Sequence, residues 1–223
     1  MPLFVSTEGY GILFDCCSLM TFNDEGRESY LFLDTVEQID YYFMKGKTMD
    51  AVVANYRMLT GNSPMMPLYL FGYIQSKERY VSSDDLINTL KEYRQRQIPI
   101  DMIVQDWNYW PEGQWGNMSM NPKFYPDKRK LADEIHSLHA KLMISIWPNA
   151  MNCPQHEEFK RKGWLLSGTS VYDAFNPLAR KLYWNYANNE FFGNGFDAWW
   201  CDASEPLDAD WTFMKDGYGA DNH

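Results

Sequence analysis

The sequence predicts an α/β fold on a parallel sheet, doubly wound or half of a (β/α)8 barrel, preceded by a short all-β segment. Three observations carry this. From residue 62 onward, apolar strand-length runs alternate with amphipathic helical stretches, an order that puts parallel strands inside and helices outside. The first 47 residues instead read as short strands and turns. Finally, a barrel takes roughly 250 residues and eight strands, and this 223-residue chain shows four strand–helix units in its second part.

The all-β segment has strands over 3–5, 11–14, 30–33 and 38–44, with a turn at Asn23-Asp24-Glu25-Gly26. So few strands do not close a core, so the segment reads as the end of a larger β domain. Thr48 caps a helix carrying Val52, Val53, Tyr56 and Leu59 on one face, with Gly61 just past its end. Gly61-Asn62-Ser63-Pro64 is a linker, which divides the chain into 1–61 and 62–223.

The alternation then begins with an apolar run over 68–75, read as the first strand, and a helix capped by Ser82 or Ser83. Leu86, Ile87, Leu90 and Tyr93 share one face of it, and Pro99 stops it. A second strand over 100–105 leads into a long loop to Pro126. A helix from Asp127 turns Leu131, Ile135 and Leu138 inward, and a third strand follows over 142–146. A short helix runs from Pro154 to near Gly163. A longer one starts at Asn176-Pro177 with Leu178, Leu182, Tyr183 and Tyr186, and a fourth strand covers 196–201.

Composition narrows the function. With 30 acidic and 20 basic residues the chain carries a net charge of −10, the wrong sign for nucleic acid or an anionic membrane surface. The Lys128-Arg129-Lys130 run is balanced by Asp127, Asp133 and Glu134. No apolar stretch approaches the ~18 residues of a membrane span. The start, MPLFVSTEGYG, lacks a basic segment followed by an apolar one, so no signal peptide is visible and the compartment stays open. Cys16, Cys17, Cys153 and Cys201 form no metal or disulfide spacing and read as buried thiols. His136 and His139 lack a third ligand in register and read as helix-surface residues, so no metal is expected; His156 and His223 carry no signal. Met65-Met66 reads as packing at a barrel base. No glycine-rich phosphate loop precedes a helix, so no nucleotide cofactor is expected. No Ser/His/Asp arrangement for acyl transfer is visible.

What remains is an aromatic excess: 9 Trp, 15 Tyr and 13 Phe, 17% of the chain. Some of these rings line a surface. Ligand sites of α/β folds lie at the carboxyl ends of the strands, and there the sequence places Gln75, Asp106 with Trp107, Trp147, and Trp200 with Cys201 and Asp202. Carboxylates that bind hydroxyls, beside flat rings that stack on sugar C–H groups, compose a sugar pocket; as single residues, Asp106 and Asp202 equally suit loop caps. The loop DWNYWPEGQWGNMSMNP, residues 106–122, is either a subsite wall or lid, or packing over the barrel top.

WWCDASEP (Trp199 to Pro206) resembles the nucleophile motif of glycoside hydrolase family 31, W-x-D-M-N-E. Trp200, Asp202 and Glu205 match, while Ala203 and Ser204 depart from the commonest form. Together with PLYLFGYIQSKERY, DMIVQDW and FYPDKRKLADEIHSLHAKLMISIWP, the ordered motifs resemble the bacterial α-xylosidase branch over about residues 65–206. Residues 1–60 resemble the close of the family's N-terminal β-sandwich and its link to the barrel.

The resemblance implies the first half of a (β/α)8 barrel and a retaining α-glycosidase acting on oligosaccharides, most directly an α-xylosidase. Asp202 is then the nucleophile that forms a covalent glycosyl-enzyme, Asp106 binds sugar hydroxyls, and Trp107, Trp147 and Trp200 wall the innermost subsite. That bulk crowds the space of a hexose hydroxymethyl. In the family the acid/base aspartate, and an arginine and a histidine of the pocket, come from strands after the nucleophile strand. These 223 residues offer no substitute: Glu205 suits a structural role, and Asp208 and Asp210 suit solvated loop positions. The isolated chain is therefore expected to turn over little. Competing readings are an α-glucosidase or transglycosylase, a non-catalytic carbohydrate-binding or inert fragment, and a metal-dependent lyase using Asp106 and Asp202 as ligands. Open sheet edges lead to an expectation of self-association.

Overall fold

A computed structural model describes residues 3–26, 28–34 and 36–204. Glu205, Asp208, Asp210 and His223 lie outside the described residues. The chain divides into two compact units that part between Met65 and Met66.

In the first unit β1 (Leu3–Ser6), β2 (Tyr10–Phe14) and β5 (Tyr41–Lys45) form an antiparallel sheet in the order β1-β2-β5, while β3 (Met20–Asn23) and β4 (Tyr30–Leu33) form a separate hairpin. The sequence reading missed β3, although the turn that gives rise to it was visible: Asn23 Oδ1 accepts from Glu25 N at 3.0 Å, and Asn23 pairs with Tyr30. The following helix, α1 (Met49–Thr60), starts where Thr48 Oγ1 accepts from Ala51 N at 3.2 Å. Its expected apolar face is only partly used. Val52 is buried, whereas Val53 and Leu59 are exposed.

In the second unit β6 (Ile74–Gln75), β7 (Met102–Gln105), β8 (Lys141–Ile146) and β9 (Ala198–Cys201) form a parallel sheet in sequential order. Each step from strand to strand crosses over through helix, the layout of a barrel wall. The run expected to be a strand over 68–75 is mostly not one. Leu68–Phe71 forms a 3₁₀ turn after Pro67, closed by Leu70 N donating to Pro67 O, which leaves two residues for β6. Met65 is 92% exposed and Met66 is also exposed, so neither packs at a barrel base.

The helices are α2 (Ser83–Gln95), α3 (Lys128–Ser137), α4 (Pro154–Lys162) and α5 (Pro177–Glu190). Ser82 caps α2 through Asp85 N, Asp127 caps α3 through Lys130 N, and Asn176 caps α5 through Leu178 N and Ala179 N. The 3.6-residue spacing of Leu86, Leu90, Leu131 and Ile135 brings them against Ile103, Leu142, Ile144 and Ile146 in one core, all at most 1% exposed. Each such side chain contributes roughly 1.5–3 kcal/mol by leaving water. On α5 the buried face is Ala179, Tyr183 and Ala187; Leu178, expected inward, is exposed in the first turn. The loop over residues 106–122 is packing, not a free lid: Tyr109, Trp110, Met118 and Met120 are buried. Gly116 allows that approach at φ +64°, where a Cβ would stand 2.1 Å from Asn149 O.

Three readings of polar residues change. Only Cys153 is a buried thiol; Cys16 is half-buried, and Cys17 and Cys201 are exposed. Lys128 pairs not with a neighbouring acid but with Glu190 at 2.6 Å, whereas Arg129 and Lys130 meet Asp133 and Glu134 one turn on. His136 is no free surface residue: its Nε2 lies 2.7 Å from Asp197 Oδ2, and Lys141 Nζ lies 2.8 Å from Asp197 Oδ1. Leu142 N also donates to this carboxylate at 2.9 Å. Asp197 thereby ties α3 to the starts of β8 and β9.

Burial alone raises the Asp197 pKa, but Lys141, the Leu142 N–H and His136 outweigh it and hold the carboxyl below its ordinary value of 3.8. A depressed carboxylate stabilises the fold above that value, and the contribution fades as the pH falls through the folded-state pKa. Asp197→Ala is expected to lower stability at neutral pH by about 1–3 kcal/mol in urea denaturation, the range for hydrogen bonds to a charged group. The exposed Asp133→Ala control should change it by less than about 0.5 kcal/mol, and the gap between the two variants should close in acid.

Candidate functional site

The site is built by strand ends. Asp106 directly follows β7, Trp147 directly follows β8 and Asp202 directly follows β9. Sheet register decides which of these side chains meet. Gln105 pairs with Ile144, and Ser145 pairs with Trp200, so one step on Asp106, Ser145 and Trp200 form a row across three strands. That row is in contact: Ser145 Oγ donates to Asp106 Oδ1 at 3.0 Å. The ladder continues beyond β9 through Asp202 N donating to Ile146 O at 2.9 Å, which sets Asp202 level with Trp147. Because side chains alternate along a strand, Asp202 projects to the same side of the sheet as Trp200, and so to the side of Asp106.

Each carboxylate is held from its own main chain. Asp106 Oδ1 also accepts from Trp107 N at 2.8 Å, and Asp202 Oδ1 accepts from Ala203 N at 3.1 Å. The second contact depends on a left-handed residue, since Ala203 has φ +46°. For a non-glycine residue this conformation is strained. Asp106 and Asp202 are both half-buried, reachable by a solute yet partly shielded from water.

The indoles divide. Trp107 is half-buried and lies against Trp115 with ring centroids 5.9 Å apart. Trp110 stands edge-on to Trp147 at 5.4 Å and to Trp115 at 5.3 Å, so four indoles form one continuous cluster. Trp147 is 5% exposed and offers at most an edge to a ligand. Behind it, among Met118, Phe159, Tyr172 and Tyr183, lies a cavity of about 20 Å³, room for a single water and not a sugar ring. Trp200 is the open one, 47% exposed on the Asp106 side of the sheet. Trp199, its neighbour, turns the other way onto Trp184 and Phe191.

Sequence reading singled out the two carboxylates and three indoles but not Ser145 or the turn at Ala203. A lone serine inside an apolar strand gives no signal until register shows what it faces, and no residue-type preference marks an alanine at positive φ. Among the described residues no group of three or more His, Cys, Asp or Glu side chains stands at metal-holding distance, and no helix is long and apolar enough to cross a membrane.

Comparison with known proteins adds a family. The model of the glycosyl hydrolases family 31 TIM-barrel domain matches residues 63–223. The chain is 39% identical over 207 residues to an alpha-xylosidase of Saccharolobus solfataricus, covering 92% of this chain and 28% of that protein. Among solved structures it is similar to the family 31 alpha-xylosidase of Xanthomonas citri, with 38% identity, TM-score 0.73, and coverage of 79% of this chain and 21% of that one. It is also similar to a family 31 alpha-xylosidase from a soil metagenome complexed with xylose, with 30% identity, TM-score 0.83, and coverage of 92% and 32%. The chain thus spans under a third of the length of these relatives.

The contrast between the indoles is measurable. Trp147→Ala is expected to cost about 3–5 kcal/mol in chemical denaturation, as for a buried aromatic residue. Trp200→Ala should cost less than about 1 kcal/mol.

Proposed function

Because the chain belongs to glycosyl hydrolase family 31, we propose that its strand-end carboxylates serve a retaining α-glycosidase acting on α-xylosyl residues of oligosaccharides. The observation that carries this reading is the register-set placement of Asp202 and Asp106 on one side of the sheet, beside an exposed indole.

Asp202 acts as the nucleophile. Its carboxylate attacks the anomeric carbon as the C1–O bond to the leaving group breaks, forming an ester that water then hydrolyses with net retention. Holding Oδ1 on Ala203 N orients the carboxylate and leaves Oδ2 for attack. Asp106 binds sugar hydroxyls and does not serve as the acid/base. It stands two strands from Asp202, a lateral Cα separation of about 10 Å at the usual strand spacing, and one of its oxygens is already tied by two donors. A retaining pair needs its carboxyl groups about 5–5.5 Å apart. Among the described residues no further carboxylate ends a strand of this sheet, which supports the reading that the acid/base is not among these 223 residues.

Trp200 offers a flat face to a pyranose ring, and Trp107, next to Asp106 in the chain and against Trp115, offers a second aromatic surface. A pentose fits such a wall better than a hexose, whose exocyclic hydroxymethyl adds bulk at C5. The names of the Saccharolobus solfataricus and Xanthomonas citri relatives, both alpha-xylosidases, point to the same substrate class.

An assay of the 223-residue chain on aryl α-xyloside and aryl α-glucoside, paired with calorimetry, tests the proposal. The chain is expected to bind the xyloside more tightly, to hydrolyse it slowly or not at all, and to lose whatever turnover exists on Asp202→Ala. Fast Asp202-dependent turnover would contradict the placement of the acid/base. Tighter binding of the glucoside would overturn the substrate class. Turnover unaffected by Asp202→Ala would remove the nucleophile assignment, and sugar binding with no turnover in any longer form of the protein would make this a binding module.

A further inference from the structure

We infer that Ser145 is a positioning residue for sugar recognition: its hydroxyl locks one oxygen of Asp106 and leaves the other as the single acceptor offered to a substrate hydroxyl. The inference rests on the glycosidase reading above and adds to it a role for a residue to which the resemblance assigns none.

Ser145 lies in the middle row of the site, one strand from Asp106 and one from Trp200, and it is 0% exposed. A serine hydroxyl so buried must be hydrogen-bonded or pay the cost of an unmade bond. Its partner here is a carboxylate oxygen, Asp106 Oδ1, at 3.0 Å. The same oxygen accepts from Trp107 N at 2.8 Å. Two donors from two directions fix the carboxyl plane, whereas a main-chain bond from the next residue alone leaves the side-chain torsions freer. Among the described residues no donor is bonded to Oδ2.

The serine is itself anchored from its main chain. Tyr109, 1% exposed, donates its hydroxyl to Ser145 O at 3.0 Å, and the ring is wedged edge-on against Trp110 and Phe191. A rigid aromatic core therefore sets the strand position, the strand sets the hydroxyl, and the hydroxyl sets the carboxylate. Pre-fixing an acceptor in this way removes ordering cost at the moment of binding. It also implies a one-oxygen contact: Asp106 grips one hydroxyl through Oδ2, and does not span two adjacent hydroxyls with both oxygens.

Ser145→Ala removes only the Oγ donor, because the Tyr109 bond goes to the backbone. A double-mutant cycle with Asp106→Asn, read by calorimetry with methyl α-xyloside and by urea denaturation, provides the test. Ser145→Ala is expected to weaken binding about tenfold while leaving the denaturation midpoint nearly unchanged, and to weaken it no further once Asp106 is Asn. Binding unchanged in Ser145→Ala but lost in Asp106→Asn would overturn the positioning role and leave the sugar site standing. Equal losses from Ser145→Ala in both backgrounds would show that the serine acts by another route and would also overturn it. Failure of the unsubstituted chain to bind, or indifference to Asp106→Asn, would overturn the sugar-site reading together with this inference.

Discussion

The parallel register of β7, β8 and β9 is the constraint on which the site depends. A shift of one residue between neighbouring strands would send every side chain to the opposite face. Ser145 would then meet the helix layer instead of Asp106, and Asp202 would leave the side that holds Trp200. That register is enforced at two places. On the helix side Ile103, Leu142, Ile144 and Ile146 are sealed against α2 and α3, and at the start of the strands Asp197 clamps His136, Lys141 and the Leu142 N–H together. Hydrophobic burial supplies most of the stabilisation, and the ionic clamp fixes how the strands are aligned.

Stability and the proposed function use different ends of the sheet. The beginnings of β8 and β9 hold the charged clamp, whereas the carboxyl ends of β7 and β9 hold the half-buried carboxylates and the open indole. The strained turn at Ala203 belongs to the second group. Such strain persists only on a support that does not yield, and the continuation of the ladder to Asp202 N provides that support.

Much of this was legible in the sequence, for physical reasons. Helices with strong caps and regular apolar spacing, such as α2 from Ser82 and α3 from Asp127, are specified by local interactions and read correctly. The run from Leu68 to Gln75 misled because an apolar stretch looks the same as strand or as 3₁₀ turn, and Pro67 tips it to the latter. β3 escaped because its four residues, Met20-Thr21-Phe22-Asn23, alternate over too short a run to stand out as a strand. At the candidate site, residue types pointed to Asp106, Trp147 and Asp202, and each does directly follow a strand. What they contact was not legible: the partner of His136 lies 61 positions away, and that of Ser145 lies 39 away. The indoles show the same limit, since sequence grouped three and packing separates buried Trp147 from open Trp200.

The proposed function requires Asp202 to face an open hollow where it can reach a sugar C1. The most direct measurement is covalent labelling with an α-xylosyl fluoride, whose fluoride departs without a proton from any acid, followed by mass spectrometry of the peptides. A pentosyl ester on Asp202, present in the chain and absent from Asp202→Ala, is the outcome this account requires. An unlabelled Asp202, or a label that survives its replacement, would contradict it.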